Sequence, residues 1–213
     1  MFSVVVTEED LARERALVAE LAARDPGLRE GLSTPADLED LSVYHQVAER
    51  LPRYDAMLIH GSAVALDGQA YLFLAPSGTG KSTHARLWRE RYGARVAMVN
   101  DDKPLLRFRA DGVWACGTPW QGKHDLGGNM MAPLRAAVLL SRAAENRIER
   151  VTAAEAYPAL LQQCYVFQSP EGAARMLRLT ERLAAEVPVF RLGCDMSPEA
   201  ARVAREGIRR AIG

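Results

Sequence analysis

The sequence predicts an α/β fold in which a mixed, partly antiparallel sheet is flanked by helices. Short apolar runs on either side of Asp67-Gly68, and again on either side of Asp111-Gly112, indicate β-hairpins, because Asp-Gly is a favoured hairpin turn. The nearly continuous apolar run at 71–74 indicates a strand that is covered on both faces. Helical periodicity of apolar residues appears in the stretches 81–92, 152–163, 171–186 and 197–212.

The chain opens with a predicted helical N-terminal segment over residues 1–50. An apolar stripe marks a first helix, which Asp25-Pro26-Gly27 is expected to end. Thr34 is expected to cap a second helix, because Pro35 then occupies the first helical position. Residues 51–213 form the predicted main domain, which ends in helices.

The main domain begins with strands. Residues 57–66 and 69–75 form the first predicted hairpin, which places His60 and Gly61 on its first strand. The helix over 81–92 is expected to end at Gly93, since glycine is common just after helices. The remaining predicted elements are a buried strand at 96–99, a hairpin of 104–109 with 113–116, a glycine-rich loop at 117–133, strands at 134–140 and 188–192, and a final helix capped by Ser197.

Composition and charge exclude several classes of function. The 213 residues include 27 Lys and Arg and 27 Asp and Glu, so the formal net charge is zero, which argues against binding to nucleic acid or to a membrane. No apolar run approaches the ~20 residues of a membrane span. The start of the chain, MFSVVVTEED, lacks the features of a signal peptide. The distant cysteines Cys116, Cys164 and Cys194 predict reduced, mostly buried thiols and a cytoplasmic location.

The stretch 75–82, APSGTGKS, has the spacing of a phosphate-binding loop (P-loop) between an apolar strand and a helix. Glycines let backbone N–H groups turn toward phosphate oxygens, and the N-terminus of the following helix attracts anions. Ala75 stands where the usual pattern has glycine, but the inner turn is intact. Lys81 is expected to reach the β- and γ-phosphates, and Ser82 to place its hydroxyl on Mg²⁺. The predicted nucleotide-binding residues are Ser77, Gly78, Thr79, Gly80, Lys81, Ser82 and Thr83.

Two adjacent carboxylates, Asp101 and Asp102, follow the apolar run at 96–99. If that strand lies beside the loop strand, its C-terminal end reaches the phosphates, where a carboxylate can hold Mg²⁺ or accept a proton from an attacking hydroxyl. Adjacent side chains of a strand point to opposite faces, so at least one aspartate must sit on a turn if both enter the site. Ser82 and Asp102 are the predicted metal ligands, and which aspartate serves as the base stays open.

The order of three motifs resembles a known family. His60-Gly61, the loop at 77–82 and Asn100-Asp101-Asp102 occur in the order seen in the catalytic domain of HPr kinase/phosphorylase, whose fold is akin to that of ATP-dependent phosphoenolpyruvate carboxykinase. The resemblance covers about residues 57–165. The stretch 117–123, GTPWQGK, is similar to small stand-alone members of this group, some of which are associated with peptide modification. The resemblance implies a P-loop, HPr kinase/phosphoenolpyruvate carboxykinase-like mixed sheet flanked by helices.

For activity, the resemblance implies transfer of phosphate from a nucleotide to a hydroxyl, typically that of a serine. One aspartate of the family's pair acts as base toward the hydroxyl, and this role corresponds to Asp101 or Asp102. The family's histidine, near the phosphates, corresponds to His60. The related kinase is an oligomer, so a homo-oligomer remains one alternative for this chain.

The long loop at 117–133 and several cations add candidates. The loop is expected either to act as a lid, in which Lys123 and His124 close over the phosphates, or to be a solvated connection. Arg135, at the start of the next predicted strand, is a further candidate cation. His84, two residues after Ser82, is a candidate for an outer group of the metal site.

We therefore predict a kinase that uses Mg²⁺ and ATP, or another nucleoside triphosphate, and a hydroxyl-bearing protein, peptide or small molecule as acceptor. The expected catalytic residues are His60, Lys81, Asp101 and Asp102, and Lys123 joins the nucleotide-binding residues. Two alternatives stay open, a nucleotide-binding regulatory or partner module without transfer and a carboxykinase-like lyase. The paired aspartates argue against the first alternative, since binding alone needs no base.

Overall fold

The computed structural model describes residues 2–24, 34–122, 125–165, 167 and 169–213. The chain divides into two compact units, Met1–Leu51 and Pro52–Gly213. The first unit contains α1 (Glu8–Arg24) and α2 (Pro35–Arg50), which contact one another. Thr34 caps α2 as predicted, and Asp37 completes a reciprocal capping box with it. The predicted helix end at 25–27 lies outside the described residues.

The second unit combines strands and helices. Its described elements are β1 (Ala56–Leu58), β2 (Ser62–Leu66), β3 (Gln69–Leu74), α3 (Lys81–Tyr92), β4 (Val96–Asn100), β5 (Leu105–Arg109), β6 (Gly112–Cys116), β7 (Met131–Arg142), β8 (Arg147–Val151), α4 (Ala153–Leu161), α5 (Pro170–Glu186), β9 (Val189–Cys194) and α6 (Glu199–Ile212). The predicted mixed α/β class with flanking helices is confirmed.

The sheet is mixed, and β7 is its longest strand. β7 pairs in parallel with β3 and β9, and its first residues pair antiparallel with β6. β2 lies between β3 and β4 and is antiparallel to both. β5 joins β6 to β1, and β8 pairs antiparallel with β9. As a result, β3, β4, β7 and β9 all end at the same edge of the sheet.

The core lies on both faces of the sheet, as expected for a strand set covered by helices. Leu72 and Leu74 of β3 belong to the cluster that contains α4 and α5 residues, whereas Tyr71 and Phe73 belong to the cluster of α3 and α6. This alternation follows from the two-residue period of a strand. Trp88 of α3 is fully buried in the second cluster.

The prediction of a single strand over 57–66 is wrong. The run divides into β1 and β2, and His60 and Gly61 form the bend between them. A Cβ on Gly61 would lie 2.8 Å from the Leu74 side chain and 3.0 Å from the Phe73 carbonyl oxygen, so the chain crosses close to β3 at this point. After the bend the two pieces take different partners, since β1 pairs with β5 and β2 pairs with β3.

Among the other predicted elements, the hairpins and α3 are confirmed, and the burial of β4 and the start of β7 are wrong. Both Asp-Gly hairpins form, and α3 has the predicted bounds and ends at Gly93. The strand predicted to be buried at 96–99 is instead an edge strand, because β4 pairs only with β2 among the described strands and exposes Ala97. β7 begins at Met131 rather than at 134, which shortens the glycine-rich loop to 117–130, and β8 was not predicted.

Two further predictions concern the residue that caps α6 and the state of the cysteines. The residue that caps α6 is Pro198, without a side-chain bond, because the Ser197 hydroxyl donates to Asp195 instead. The three cysteines are free and partly buried, and burial raises the pKa of the Cys164 thiol to about 11. The described helices include none that is long and apolar enough to cross a membrane.

One close backbone approach anchors the loop 117–130 to the sheet. A Cβ on Gly117 would overlap the Gly128 carbonyl oxygen and would lie 2.9 Å from the Val99 carbonyl oxygen. A Cβ on Gly128 itself would meet its nearest atom, the Met98 carbonyl oxygen, at 3.4 Å. The two glycines touch one another, but only Gly117 lacks room for a side chain.

We expect Gly117→Ala to lower the free energy of unfolding by about 1–3 kcal/mol, the usual cost of overpacking. Gly128→Ala, the matched control, should change it by less than about 1 kcal/mol. Urea denaturation of both variants measures the difference. Equal stability of the two variants would show that the backbones do not approach this closely.

Candidate functional site

Four strands end at one edge of the sheet, and two of them lead into predicted site residues. The loop 75–80 follows β3, and Asp101 and Asp102 follow β4. Arg142 ends β7, and Asp195 comes directly after β9. The C-terminal edge of the strands is where α/β sheets commonly bind ligands. The expected proximity of the loop and the aspartates holds, but β2 lies between their strands.

The loop after β3 presents bare backbone to open space. Gly78 (φ +73°) and Gly80 (φ +119°) have conformations that side chains disfavour, and a Cβ built on either would meet nothing within 4 Å. Gly80 directly precedes α3, a helix of 12 residues. The loop therefore combines an open surface with the positive end of a helix dipole, an arrangement that can hold phosphate.

Lys81 lies at the base of this loop. It is only 8% exposed, and its Nζ donates to the carbonyl oxygens of Ala75 at 2.9 Å and Pro76 at 3.5 Å. Burial lowers the pKa of Lys81, and the negative charge of Asp102 opposes that shift. The ammonium group is thus already directed into the turn of the loop.

A turn built by Asn100 carries both aspartates away from the strand. The Asn100 side-chain oxygen accepts the backbone N–H groups of Asp102 at 2.9 Å and Lys103 at 2.7 Å. This Asx turn ends β4 and removes the strand alternation that would have sent adjacent side chains to opposite faces. Asp101 and Asp102 can therefore line one cavity.

Asp101 is the more buried of the two aspartates, with 7% exposure. The hydroxyl of Ser62, a fully buried residue at the start of β2, donates to its Oδ1 at 2.7 Å. A buried carboxylate without a hydrogen-bond partner is costly. Ser62 therefore both stabilises Asp101 and fixes the direction in which it points.

Asp102 is half-buried and faces two basic side chains. Lys103 Nζ lies 2.9 Å from its Oδ2, and His60 Nε2 lies 3.6 Å from its Oδ1. Burial lowers the pKa of His60, the positive charge of Lys81 lowers it further, and Asp102 acts against both. The lowered pKa favours the neutral form of His60, which reaches the site from the bend before β2 rather than from a strand.

A cavity of about 410 Å³ lies between the loop and the carboxylates. The loop and the first turn of α3 line one side with Ser77, Gly78, Gly80, Lys81, Ser82 and Thr83. His60, Asp101, Asp102 and Gly122 line the rest. Among the predicted nucleotide-binding residues, Thr79 does not line this cavity, and Lys123 lies outside the described residues together with His124.

The donor set fits Mg²⁺ better than a metal that needs an all-protein cage. Within the described ranges, no group of three or more His, Cys, Asp and Glu side chains could hold a metal ion. Mg²⁺ commonly takes one or two carboxylates and completes its shell with phosphate oxygens and water. The exposed Ser82 hydroxyl and the two aspartates around this cavity suit that mode of binding.

Two predicted outer residues have different surroundings from those expected. Arg135 donates to the carbonyl oxygens of Ile212 and Gly213 at the end of the chain, so it is not a cation of this cavity. His84 is buried, accepts the Trp88 indole N–H at 3.0 Å and packs against an aromatic ring of β3. Both residues therefore stabilise packing around the sheet rather than extend the carboxylate site.

Several residues of the site were missed from the sequence. Arg142 donates to the Gly78 carbonyl oxygen at 2.7 Å, which only the parallel pairing of β3 and β7 makes achievable. Ser62 lacks any sequence signal for its contact with Asp101. Lys103 did carry a sequence signal, because the chain has only three lysines among its 27 Lys and Arg residues.

Asn100 also ties the loop 117–122 to the aspartates. Its side-chain amide donates to the Thr118 carbonyl at 3.2 Å and to the Thr118 hydroxyl oxygen at 3.0 Å. The Thr118 hydroxyl in turn donates to the Lys103 carbonyl at 2.8 Å. A Cβ on Gly122 would lie 3.1 Å from the Asp102 Cβ, so this loop passes directly beside the carboxylate.

Comparison with known proteins adds a distant structural similarity. No protein-family model matches the sequence, and no curated protein matches it. Among solved structures, the chain is similar to the HPr(Ser) kinase/phosphatase from Coxiella burnetii, with 13% sequence identity and a TM-score of 0.43 over 74% of this chain and 99% of that chain. Similarity at this level carries no conclusion about activity, so we argue the function from the site itself.

We expect Asn100→Ala to lower the free energy of unfolding by about 2 kcal/mol or more, because it leaves the N–H groups of Asp102 and Lys103 without their acceptor. Asn129→Ala, an exposed control in the same loop region, should change it by less than about 0.5 kcal/mol. Thermal and urea unfolding check both values. A mild effect at Asn100 would mean that the turn holds without its side chain.

Proposed function

We propose that this chain is a Mg²⁺-dependent phosphotransferase, which moves the γ-phosphate of ATP or another nucleoside triphosphate to a hydroxyl of a protein, peptide or small molecule. One observation carries the proposal: the loop at 77–83 and the pair Asp101 and Asp102 face the same cavity. A phosphate loop alone supports binding. Two carboxylates opposite it add the metal ligand and the base that transfer to a hydroxyl requires.

In this proposal the loop binds the triphosphate. Its backbone N–H groups and the N-terminus of α3 hold phosphate oxygens, and Lys81 leaves its two carbonyl partners to contact the β- and γ-phosphates. Ser77, Thr79 and Thr83 belong to the same binding segment, and Lys123 is a further proposed contact. Ser82 and Asp102 hold Mg²⁺, which when bound neutralises charge that develops on the phosphates.

We assign the base role to Asp101. Its described contact is with the neutral Ser62 hydroxyl, whereas Asp102 faces Lys103 and His60. The buried Ser62 hydroxyl holds the Asp101 carboxylate in one direction, which suits a group that must meet the acceptor hydroxyl at hydrogen-bond distance. Asp102, already in a polar setting at the cavity edge, is the better metal ligand.

The proposed transfer exchanges one oxygen partner of the γ-phosphorus for another. The acceptor oxygen forms a bond to the γ-phosphorus, the bond from that phosphorus to the β–γ bridging oxygen breaks, and the nucleoside diphosphate leaves. The proton of the acceptor hydroxyl passes to Asp101. His60 lies beside Asp102, and positioning with electrostatic stabilisation supplies most of the catalysis.

We expect Lys81→Ala to weaken binding of Mg²⁺–ATP by about tenfold or more, because the buried ammonium group is the loop's main cation. Arg86→Ala, which removes an exposed positive charge from the same helix, should leave the affinity within about twofold. Isothermal titration calorimetry measures both. ATP affinity that is equal in wild type and Lys81→Ala would overturn the assignment of the loop.

Substitution of the two aspartates should change different properties of the reaction. With Asp102→Asn, the Mg²⁺ concentration that gives half-maximal turnover should rise about tenfold or more, since a ligand of the metal is lost. With Asp101→Asn, turnover should fall about 10²-fold or more at an unchanged Mg²⁺ requirement, since the base is lost. Release of labelled phosphate or its transfer from γ-labelled ATP, titrated with Mg²⁺, provides the measurement.

The pattern of these two variants also decides between alternatives. A raised Mg²⁺ requirement in Asp101→Asn, with none in Asp102→Asn, would exchange the two roles. Tight ATP binding without turnover toward water or any hydroxyl acceptor, in wild type as well, would favour a nucleotide-binding module. Turnover that depends on oxaloacetate would favour a carboxykinase-like lyase.

A further inference from the structure

A second cavity of about 400 Å³ opens beside the first one. The two cavities share Gly78, Gly80 and Thr83, so they meet along the phosphate loop. The other walls of the second cavity come from α3 and from the residues at the ends of β7 and β9. Neither Asp101 nor Asp102 is part of its lining.

Apolar side chains form much of this second cavity. They lie in α3, in β7 and β9, and just after these two strands, and are Leu87, Leu140, Ala143, Cys194 and Met196. Met196 is 72% exposed, so its side chain is available for contact with a group in the cavity. A flat apolar group that enters the cavity would bury the Met196 side chain and gain contact with the walls.

Two charged side chains, Arg142 and Asp195, also line this cavity. Arg142 donates to the Gly78 carbonyl oxygen at 2.7 Å, so its positive charge lies where the two cavities meet. Asp195 Oδ1 accepts from Asn146 at 2.9 Å and from the Ser197 hydroxyl at 2.7 Å. The Ser197 hydrogen bond holds the pKa of Asp195 below its usual range, so a fixed ionised acceptor faces this cavity.

We propose that the second cavity holds the nucleoside of the phosphate donor, with the base against the apolar walls and the ribose nearer the loop. The donor then spans both cavities and crosses the loop at Gly78 and Gly80. This assignment rests on the proposed function and extends it to the uncharged half of the substrate. Arg142 meets the phosphates at the crossing, and Asp195 accepts a hydrogen bond from a ribose hydroxyl or a base amine.

The alternative occupant of the second cavity is the phosphate acceptor, and the geometry disfavours it. An acceptor hydroxyl must reach a carboxylate at hydrogen-bond distance when it gives up its proton. Asp101 and Asp102 line only the first cavity of the two. A nucleoside gives up no proton to a carboxylate, and the apolar side chains against which it can pack line the second cavity rather than the first.

A matched pair of exposed alanines tests the proposal. Ala143 lines the second cavity, and its neighbour Ala144 does not. Both are exposed, so a tryptophan at either position should be tolerated by the fold. Ala143→Trp should fill the cavity, while Ala144→Trp adds the same side chain outside it.

Two probes separate the halves of the substrate. Mg²⁺–ATP occupies both cavities, whereas Mg²⁺–tripolyphosphate occupies the phosphate site alone. By calorimetry, Ala143→Trp should weaken ATP binding by about tenfold or more and leave tripolyphosphate affinity within about twofold. Ala144→Trp should leave both affinities within about twofold.

The outcomes distinguish failure of this inference from failure of the proposed function. If wild type binds tripolyphosphate as tightly as ATP, or if Ala143→Trp binds ATP normally, the nucleoside lies elsewhere while the phosphate site stands. If wild type binds neither probe, the phosphate site and this inference fall together. If Ala143→Trp loses both probes in a folded protein, the cavity belongs to the phosphate site, and the inference is also overturned.

A second pair of variants tests the same proposal without a tryptophan, in case that side chain disturbs the loop. Met196→Ser removes the exposed apolar cover, and Met131→Ser removes another exposed methionine that does not line the cavity. Met196→Ser should weaken ATP binding about threefold or more without changing tripolyphosphate affinity. Equal ATP affinity in the two serine variants would contradict the proposed position of the base.

Discussion

The buried hydrogen bond from Ser62 to Asp101 links the order of the strands to the chemistry of the site. Ser62 begins β2, and β2 is antiparallel to both β3 and β4. This arrangement turns the ends of β3 and β4 toward the same edge and places the Ser62 hydroxyl between them. The carboxylate would be costly to bury without that partner, so the sheet topology and the position of Asp101 depend on each other.

Backbone groups explain how a chain of zero net charge can offer an anion site. Formal charge counts side chains, whereas the loop around Gly78 and Gly80 contributes N–H groups and the start of α3 contributes a dipole. The buried Lys81 and the strand-end Arg142 add positive charge at the same place. A neutral composition excludes a broad basic surface, but it says nothing about such a local concentration.

Short-range sequence patterns predicted most helices, turns and caps. The features that they missed depend on which strands pair in the folded protein. The bounds of α3, both Asp-Gly turns and the Thr34 cap follow from nearby residues alone. The bend at His60 does not, because it depends on how closely Gly61 approaches β3. The loop and the aspartates could be named as candidates from their spacing, whereas Ser62 and Arg142 required knowledge of which strands are neighbours.

The proposed transfer needs a divalent cation because of the charges around the first cavity. Lys81 and Lys103 carry two formal positive charges and Asp101 and Asp102 carry two negative ones, so these four side chains cancel, and Arg142 adds one positive charge at the junction of the two cavities. A triphosphate would add negative charge that this set does not compensate, and repulsion from the aspartates would oppose its entry. A metal held between a carboxylate and the phosphates converts that repulsion into attraction. The aspartates thus favour the proposed reaction only together with Mg²⁺, which is why the metal requirement is the property that best separates their roles.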